Sequence, residues 1–365
     1  MSETRTHGKS DFYFAATGIG SVPSLDIQGT CRRILESCPQ IPFWPQFVRR
    51  SPLEDLSMQF SEGLPLVEKR EGQDTLFLSS RDAESELIAF YERYLADDID
   101  RFAISRAYAP GLYEMVSLIQ QDPEKCGPYI KGQIVGPVTF AASIKDAEGK
   151  SLLHNPDLLE ATAKGLAIRA LWQVRELGKS GKKTILFLDE PYLSGYGSAF
   201  CAIQRESVIA SIQEVVDYLR ERSDVLIGIH CCGNTDWPMI LETGPDIISF
   251  DAFSYMDTFL LYPEEITRFL KGGGSLAWGI VPTFQFTGKE KTAGLFSRLE
   301  KGLTRLREWG LDPELLARQS LLSPACGMGT MNEEAAESVL HLLSRLSRRC
   351  RDLYRAARDR TSPLR

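Results

Sequence analysis

Val225-Leu-Ile-Gly-Ile-His-Cys-Cys-Gly233 joins an apolar run to side chains that can bind a metal. The apolar half is typical of a strand buried on both faces, and His230 and Cys232 follow where that strand would end. A later apolar run, Ser320–Leu322, is followed in the same way by Cys326. One imidazole and two thiolates suit Zn²⁺, and three protein ligands leave a position for a substrate. The pattern predicts an open zinc site, and the alternative is a set of small buried core residues.

Eight apolar runs alternate with helical patterns along the chain. The predicted strands are Phe12–Gly20, Ile41–Phe43, Tyr129–Val135, Thr184–Leu188, Val225–Ile229, Ile247–Phe250, Leu276–Ile280 and Ser320–Leu322. The predicted helices are Asp157–Lys179, Ser207–Arg222, Pro263–Lys271, Lys291–Trp309 and Asn332–Arg348. Eight strands with intervening helices predict an α/β fold of the (β/α)8 TIM-barrel type, whose active site lies at the carboxyl ends of the strands. The metal-ligand candidates fall at those ends.

Residues 52–121 do not fit a minimal barrel. Pro65–Leu78 contains two alternating runs around a Gly-containing turn, which predicts a hairpin, and Ala83–Gln121 has helical character. We expect both to form an insertion over the barrel mouth, between the second and third strands. We therefore predict one catalytic domain over residues 1–365, with flexible tails at 1–10 and 352–365.

Composition restricts the class of protein. The 365 residues are 43% hydrophobic and 25% charged, which is ordinary for a soluble enzyme with a large core. A net charge of −7 argues against general nucleic-acid binding, and the basic segment Arg345–Arg365 predicts a solvated helix. The chain has no apolar run of about 18 residues and no signal-peptide core, so no membrane association is expected. Eight cysteines in so long a chain indicate a reducing cytoplasm with free or metal-bound thiols.

Five short motifs resemble those of the cobalamin-independent methionine synthases, in the same order. They are Ile19-Gly-Ser-Val-Pro23, Gly136-Pro-Val-Thr139, Leu188-Asp-Glu-Pro191, His230-x-Cys232 and Cys326-Gly327. The resemblance spans residues 12 to 348 and is to the catalytic C-terminal barrel, in its single-barrel core form. The wider superfamily of similar fold includes uroporphyrinogen decarboxylase and the zinc corrinoid:thiol methyltransferases.

The resemblance implies a zinc methyltransferase that methylates the thiol of L-homocysteine and forms L-methionine. It implies that His230, Cys232 and Cys326 are zinc ligands and take part in catalysis. The family's fourth ligand is a glutamate, and Asp251 takes its place here. Because aspartate is one methylene shorter, an N-cap of the following segment is the alternative role of Asp251. Cys231 should not ligate, because neighbouring residues of an extended segment face opposite ways.

The resemblance also implies a substrate-binding set. It implies that Asp189 holds the amino group of homocysteine, and that Ile19 and Ser21 hold the amino-acid backbone through main-chain groups. Gln46 is the counterpart of a family glutamate that follows the second strand. Of the carboxylate pair that ends the fourth strand, Asp189 and Glu190, at most one can face the barrel mouth, because strand residues alternate. The alternative role of Asp189 is a salt bridge at the barrel rim.

The methyl donor is where the sequence departs from the family. Full-length members carry a second barrel that helps hold folate, for which this chain has no room, and a tryptophan after Gly-Pro-Val-Thr stacks on the pterin. Here Phe140-Ala-Ala-Ser143 follows Thr139. We therefore expect a methylcorrinoid as donor, either methylcobalamin or a corrinoid protein. Three aromatic residues, Trp237, Phe253 and Tyr255, could line the mouth or pack in the core.

Four alternatives stay open at this stage. A coenzyme M-type zinc methyltransferase would need a cationic sulfonate site in place of Asp189, and a folate-dependent methionine synthase would need a pterin site. A metal-free uroporphyrinogen decarboxylase-like protein should carry arginine near the first strand, and Ala15–Pro23 has none. A non-catalytic barrel with structural zinc would have a closed site with four ligands.

Overall fold

The computed structural model describes residues 11–70, 75–79, 82–198, 201 and 203–361. The strands are β1 (Ala15–Ala16), β2 (Ser21–Val22), β3 (Gln46–Phe47), β4 (Val67–Lys69), β5 (Leu76–Leu78), β6 (Tyr129–Val135), β7 (Ile144–Lys145), β8 (Lys183–Asp189), β9 (Leu226–Cys231), β10 (Ile247–Phe250), β11 (Ser275–Val281) and β12 (Ser320–Pro324). The helices are α1 (Ile27–Ser37), α2 (Ala83–Leu95), α3 (Pro110–Gln121), α4 (Pro137–Ser143), α5 (Pro156–Gly178), α6 (Arg205–Arg222), α7 (Trp237–Glu242), α8 (Met256–Phe259), α9 (Pro263–Lys271), α10 (Thr292–Glu308), α11 (Pro313–Arg318) and α12 (Glu333–Thr361).

Seven parallel strands form one curled sheet in the order β1-β12-β11-β10-β9-β8-β6. The first and last strands of the chain are therefore neighbours, as in a TIM-like barrel, and Ala15 is in register with Leu321. The predicted α/β class with a parallel sheet is confirmed. Segment 42–47 contacts the edge strand β6 through the bridge between Phe43 and Lys131, and its strand β3 pairs with β2, which follows β1 in the chain but lies outside the seven-stranded sheet.

The N-terminal strands are shorter than the apolar runs that predicted them. Tyr13 and Phe14 have positive φ angles of 46° and 60°, which are incompatible with a strand, so β1 is reduced to two residues. Pro42 interrupts the second predicted strand, Ile41–Phe43, and Pro45 separates the bridge at Phe43 from β3, since proline cannot donate a ladder hydrogen bond. By contrast, β6 and β8 pair over seven residues each, from Tyr129 and Lys183 onward.

Helices α5, α6, α9 and α10 begin and end close to the predicted positions. Helix α5 illustrates why: the side chain of Asn155 caps it by accepting from the N–H of Leu158, and Pro156 occupies its first turn. Helix α12 extends beyond the predicted end at Arg348 to Thr361, so residues 352–361 of the predicted flexible tail are helical, and residues 362–365 lie outside the described part of the chain. Among the described residues, no helix is both long enough and apolar enough to cross a membrane.

The region predicted as an insertion contains an antiparallel strand pair and two helices. β4 and β5 pair with Val67 opposite Leu78, and β5 extends this small sheet to β7. The predicted turn of this hairpin includes residues 71–74, which lie outside the described residues, as does the predicted tail 1–10. Helices α2 and α3 follow, and the single-domain arrangement stays a prediction.

Candidate metal centre and substrate cavity

The side chains of His230, Cys232 and Cys326 converge. Their ligand atoms all lie within 4.8 Å of one another, although Cys326 is 94 residues further along the chain than Cys232. The convergence follows from the fold, because β9 and β12 run parallel in one sheet and their carboxyl ends meet at the same edge. An imidazole nitrogen with two thiols at this separation matches the donor set that Zn²⁺ prefers.

The imidazole of His230 is oriented by the neighbouring strand. β9 and β10 place Ser249 opposite His230, and the Ser249 hydroxyl lies 3.0 Å from Nδ1. Nε2 is buried and has no hydrogen-bond partner among the described residues. Buried polar atoms normally have partners. A proton on Nδ1, held by Ser249, would leave the lone pair of Nε2 for a metal, which is the arrangement that orients histidine ligands in metalloproteins.

The three cysteines of the cluster region have different environments. The pKa of Cys232 is lowered, chiefly because the thiol of Cys326 hydrogen-bonds to it, and the pKa of Cys326 is raised by that same contact and by burial. Cys231 is fully buried in the apolar core, which raises its pKa to about 12, and it is not part of the three-residue group.

A cavity of about 380 Å³ opens beside the cluster. All three ligand candidates and the four predicted substrate-binding residues line this cavity. Residues from other loops complete the lining. The lining residues are Ile19, Ser21, Gln46, Val48, Asp55, Leu56, Asp189, Pro191, His230, Cys232, Phe284, Cys326, Gly327, Gly329 and Thr330. Its volume lies within the range of sites for small organic molecules.

The carboxylate pair at the end of β8 divides as strand alternation requires. Asp189 lines the cavity, and its Oδ1 is buried without a hydrogen-bond partner among the described residues. Glu190 faces the other way and accepts hydrogen bonds from the N–H groups of Val138 and Thr139, at 2.9 and 2.8 Å, and from the Thr139 hydroxyl. Burial still raises the pKa of Glu190 to about 7. The Gly-Pro-Val-Thr motif thus anchors Glu190, which leaves Asp189 free for a ligand.

A fully buried lysine, Lys131, acts on Asp189 electrostatically. Lys131 on β6 donates to the carbonyl of Ile19 and to Oε1 of Gln133, the latter at 3.2 Å. Burial lowers its pKa to about 8, against the opposing effect of Asp189. In turn, burial raises the pKa of Asp189, while Lys131 and His230 act to lower it. Lys131 was not predicted as a site residue. A single lysine within the apolar run Tyr129–Val135 was the sequence feature that could have indicated it.

The N-terminal substrate-binding candidates are held by the loop that carries Cys326. The carbonyl of Ser21 accepts from the N–H of Met328 at 2.9 Å, and its hydroxyl accepts from the N–H of Gly329 at 3.3 Å. A side chain at Gly327 would collide with the Ser21 hydroxyl, since its Cβ would lie 2.2 Å away. The motif Cys326-Gly327 therefore couples the candidate metal ligand to β2, which carries the substrate-binding candidate Ser21.

Asp251 follows β10 and is buried, but it lies outside the three-residue group. Its Oδ1 accepts from the N–H of Ser254 at 2.8 Å, which is the capping role considered as the alternative. Burial raises its pKa, and hydrogen bonds from Ser254 and the proximity of His230 act to lower it. In this conformation Asp251 caps the turn, and direct ligation stays a prediction.

The rim of the cavity differs from the aromatic rim considered from the sequence. Trp237 is fully buried against Phe250 and Phe259, and neither Phe253 nor Tyr255 lines the cavity. The rim is formed by Val48, Leu56 and Phe284, whose side chain is 96% exposed. Phe284 follows β11. Its position after the end of a strand is the sequence feature that could have predicted its place beside the cavity.

Comparisons with protein-family models and with curated protein sequences give no match. Among solved structures, the fold is similar to that of a B12-independent methionine synthase from a Shewanella species, solved in complex with selenomethionine. The two sequences are 16% identical, the alignment covers 94% of this chain and 99% of that chain, and the TM-score is 0.60. At this identity the likeness shows a shared TIM-like fold over nearly the whole of both chains.

Proposed function

We propose that this protein is a zinc-dependent methyltransferase that moves a methyl group from a methylcorrinoid to the thiol of L-homocysteine, forming L-methionine. One observation carries the proposal: the cluster of His230, Cys232 and Cys326 opens into the same cavity as the unpartnered carboxylate of Asp189. A metal-binding group beside an anionic side chain suits a substrate that has both a thiol and an ammonium group.

The cluster fits Zn²⁺ by its chemistry. The orphaned Nε2 of His230 and the two thiols supply three soft or borderline donors, and the cavity leaves access for a fourth. Zn²⁺ bound there would lower the pKa of a substrate thiol and keep its sulfur nucleophilic. Ser249 would hold the imidazole in the ligating orientation.

The charges of the cavity favour an aminothiol over a sulfonated thiol. Asp189 and Asp55 line it, and among the described residues no lysine or arginine does. Lys131 acts on Asp189 but does not line the cavity, so a sulfonate would meet the carboxylates directly, whereas an ammonium group would make a charge-assisted hydrogen bond to Asp189. The fold similarity to a methionine synthase supports the same choice. A coenzyme M-type substrate is therefore disfavoured.

The donor side of the cavity supports a corrinoid. The segment after Thr139, where the family has a pterin-stacking tryptophan, lies in α4; Phe140 is fully buried there and does not line the cavity. Val48, Leu56 and Phe284 instead form an apolar rim. A corrinoid ring is too large to enter, so it would rest on this rim and direct its methyl group inward.

The transfer is a displacement at the methyl carbon. The sulfur of homocysteine forms the new bond to carbon as the carbon–cobalt bond breaks, the electron pair of the broken bond stays with cobalt, and the thiol proton goes to solvent. Asp189 and the main-chain groups of Ile19 and Ser21 would hold the amino acid so that its sulfur faces the incoming methyl group.

The test supplies zinc-loaded protein with L-homocysteine and either methylcobalamin or methyltetrahydrofolate, the latter also with a triglutamate tail. We expect methionine from methylcobalamin and none from either folate, with activity lost on chelation and restored by Zn²⁺. Methionine from folate with no response to methylcobalamin would overturn the donor assignment. No methionine from any of these donors, or from a methylated corrinoid protein, would overturn the function.

A further inference from the structure

A directed chain of amide hydrogen bonds runs from the insertion to the cavity. Nε2 of Gln59 donates to the main-chain carbonyl of Tyr108 at 2.6 Å, and Nε2 of Gln46 donates to Oε1 of Gln59 at 2.7 Å. Gln59 is fully buried and Gln46 is 3% exposed, so water does not compete for these bonds. The chain ends at the cavity, which Gln46 lines.

The main-chain carbonyl of Tyr108 determines the donor-to-acceptor direction of these hydrogen bonds. A main-chain carbonyl can only accept, so Gln59 must turn its NH₂ group towards Tyr108 and its oxygen towards Gln46. Gln46 must then turn its NH₂ group towards Gln59. The opposite orientation of either amide would place two acceptors or two donors against each other in the core.

The consequence is that Gln46 offers the cavity an acceptor. Its Oε1 lies against Gly20, where an added Cβ would be only 2.3 Å away, so the glycine makes room for that oxygen. Within the described part of the chain, the side-chain hydrogen bond of Gln46 is the one that Nε2 donates. Asp189, which lines the same cavity, is also an acceptor without a partner for its Oδ1.

We propose that Gln59 is a positioning residue that selects substrates with an amino group, because it fixes the amide of Gln46 with the oxygen towards the cavity. Gln59 does not line the cavity itself; it acts through Gln46. An ammonium group donates hydrogen bonds only, and it would meet two acceptors, Gln46 and Asp189. This inference rests on the proposed function and extends it, since it assigns a residue of the insertion to substrate selection.

Two substitutions at one position separate orientation from packing. Gln59→Met keeps the length of the side chain and removes both polar groups, so Gln46 is free to turn its NH₂ group towards the substrate. Gln59→Glu retains an oxygen towards Gln46 in either protonation state, because the protonated acid can donate to Tyr108 while its carbonyl accepts from Gln46. Gln59→Glu should therefore keep the selectivity, and Gln59→Met should lose it.

The measurement is calorimetric binding of small thiols to the full-length, zinc-loaded protein, which does not depend on turnover. The probes are L-homocysteine and 4-mercaptobutanoate, which lacks the amino group. In Gln59→Met we expect the Kd of homocysteine to rise about tenfold, the size of one hydrogen bond, and the Kd of 4-mercaptobutanoate to stay the same. In Gln59→Glu we expect both Kd values to lie within about twofold of the wild type.

A matched control is Gln319→Met, which removes another buried glutamine bond to a main-chain carbonyl, at Leu270. Gln319 precedes β12 and so lies at the end of the barrel opposite the cavity, and neither Kd should change. Equal Kd values for homocysteine in Gln59→Met and Gln59→Glu, or a parallel loss for both thiols, would overturn the inference. If the Gln59 variants change amine selectivity as expected but the protein forms no methionine, the inference stands and the proposed function is overturned.

Discussion

The two parts of the barrel are built differently. In the regular part, strands β6 and β8 to β12 are four to seven residues long, their limits follow the apolar runs, and main-chain ladders hold them together with one register shift, between Gly279 and Val281 of β11. From residue 11 to 121 the strands are two or three residues long, and hydrogen bonds from side chains contribute much of the stabilisation. Glu54 accepts from the N–H of Phe47, Gln59 binds Gln46, and Lys131 binds the carbonyl of Ile19.

The division coincides with a division of roles. The regular part carries the three metal-ligand candidates and Asp189, whereas the irregular part carries Ile19, Ser21 and Gln46. A metal needs donors fixed within a few tenths of an ångström, and ladder hydrogen bonds supply that rigidity. Substrate recognition can instead be adjusted through side-chain bonds. Substitution of a metal-ligand candidate should therefore affect the metal, substitution of Asp189 should affect the affinity for homocysteine, and substitutions in the irregular part should affect affinity or stability.

The largest effect is expected at Cys326. Replacement by serine removes one of two thiolates from the candidate zinc site, so Cys326→Ser should lose most of its zinc and all methyl transfer. Metal content by mass spectrometry and methionine formation measure the two losses. The matched control is Cys231→Ser, since Cys231 is buried outside the group. Similar zinc loss in both variants would contradict the ligand assignment.

The second effect is expected at Asp189, which belongs to the regular part but should not affect the metal. Asp189→Asn keeps the shape and removes the charge that would bind the substrate ammonium. The KM of homocysteine should rise by the equivalent of about 1.5–3 kcal/mol, while zinc stays bound. Steady-state kinetics with zinc analysis test this. An unchanged KM would assign Asp189 a structural role at the rim.

A smaller effect is expected at Glu54, in the irregular part. Its buried carboxylate accepts from the N–H of Phe47 at 2.9 Å and from Nε of Arg50 at 2.6 Å. Glu54→Gln should lower the free energy of unfolding by about 1.5 kcal/mol and leave zinc content unchanged. The control is Glu242→Gln, whose ion pair with Arg205 is exposed and should contribute less than about 1 kcal/mol. If the two variants lose equal free energy of unfolding in chemical denaturation, buried side-chain hydrogen bonds do not stabilise the irregular part.

The smallest effect is expected at the rim. Phe284 is 96% exposed beside the cavity, and a stacked donor ring would cover it. Phe284→Ala should raise the KM of methylcobalamin two- to fivefold, about 0.5–1 kcal/mol, and leave the KM of homocysteine unchanged. Leu261→Ala, which removes another exposed apolar residue away from the cavity, is the control. No change in the donor KM would show that the rim does not contact the donor.

The regular part was largely predictable from the sequence. Buried parallel strands appear as uninterrupted apolar runs, and residues that follow them meet at one edge, so the convergence of His230 and Cys326 followed from topology. Strand alternation likewise separated Asp189 from Glu190. The partner of Glu190, the segment Gly-Pro-Val-Thr, is visible as a motif, but its role in anchoring Glu190 depends on tertiary contacts that have no local pattern.

The irregular part could not be predicted to the same degree. The positive φ angles of Tyr13 and Phe14 carry no distinct sequence signature, so the first strand was expected to be longer than it is. The bond between Gln59 and Gln46 joins two polar residues in loop-like segments, where periodicity says nothing about partners. Long-range side-chain bonds of this kind depend on the tertiary arrangement and have no local pattern.

The most direct test of the central claim is zinc X-ray absorption of the loaded protein, with and without L-homocysteine. The account predicts one nitrogen and two sulfur ligands from the protein, with Zn–S distances of about 2.3 Å, and a third sulfur when homocysteine is added. A site with four protein ligands that does not change on adding homocysteine would contradict the account, because it would make the zinc structural and the cavity irrelevant to the thiol.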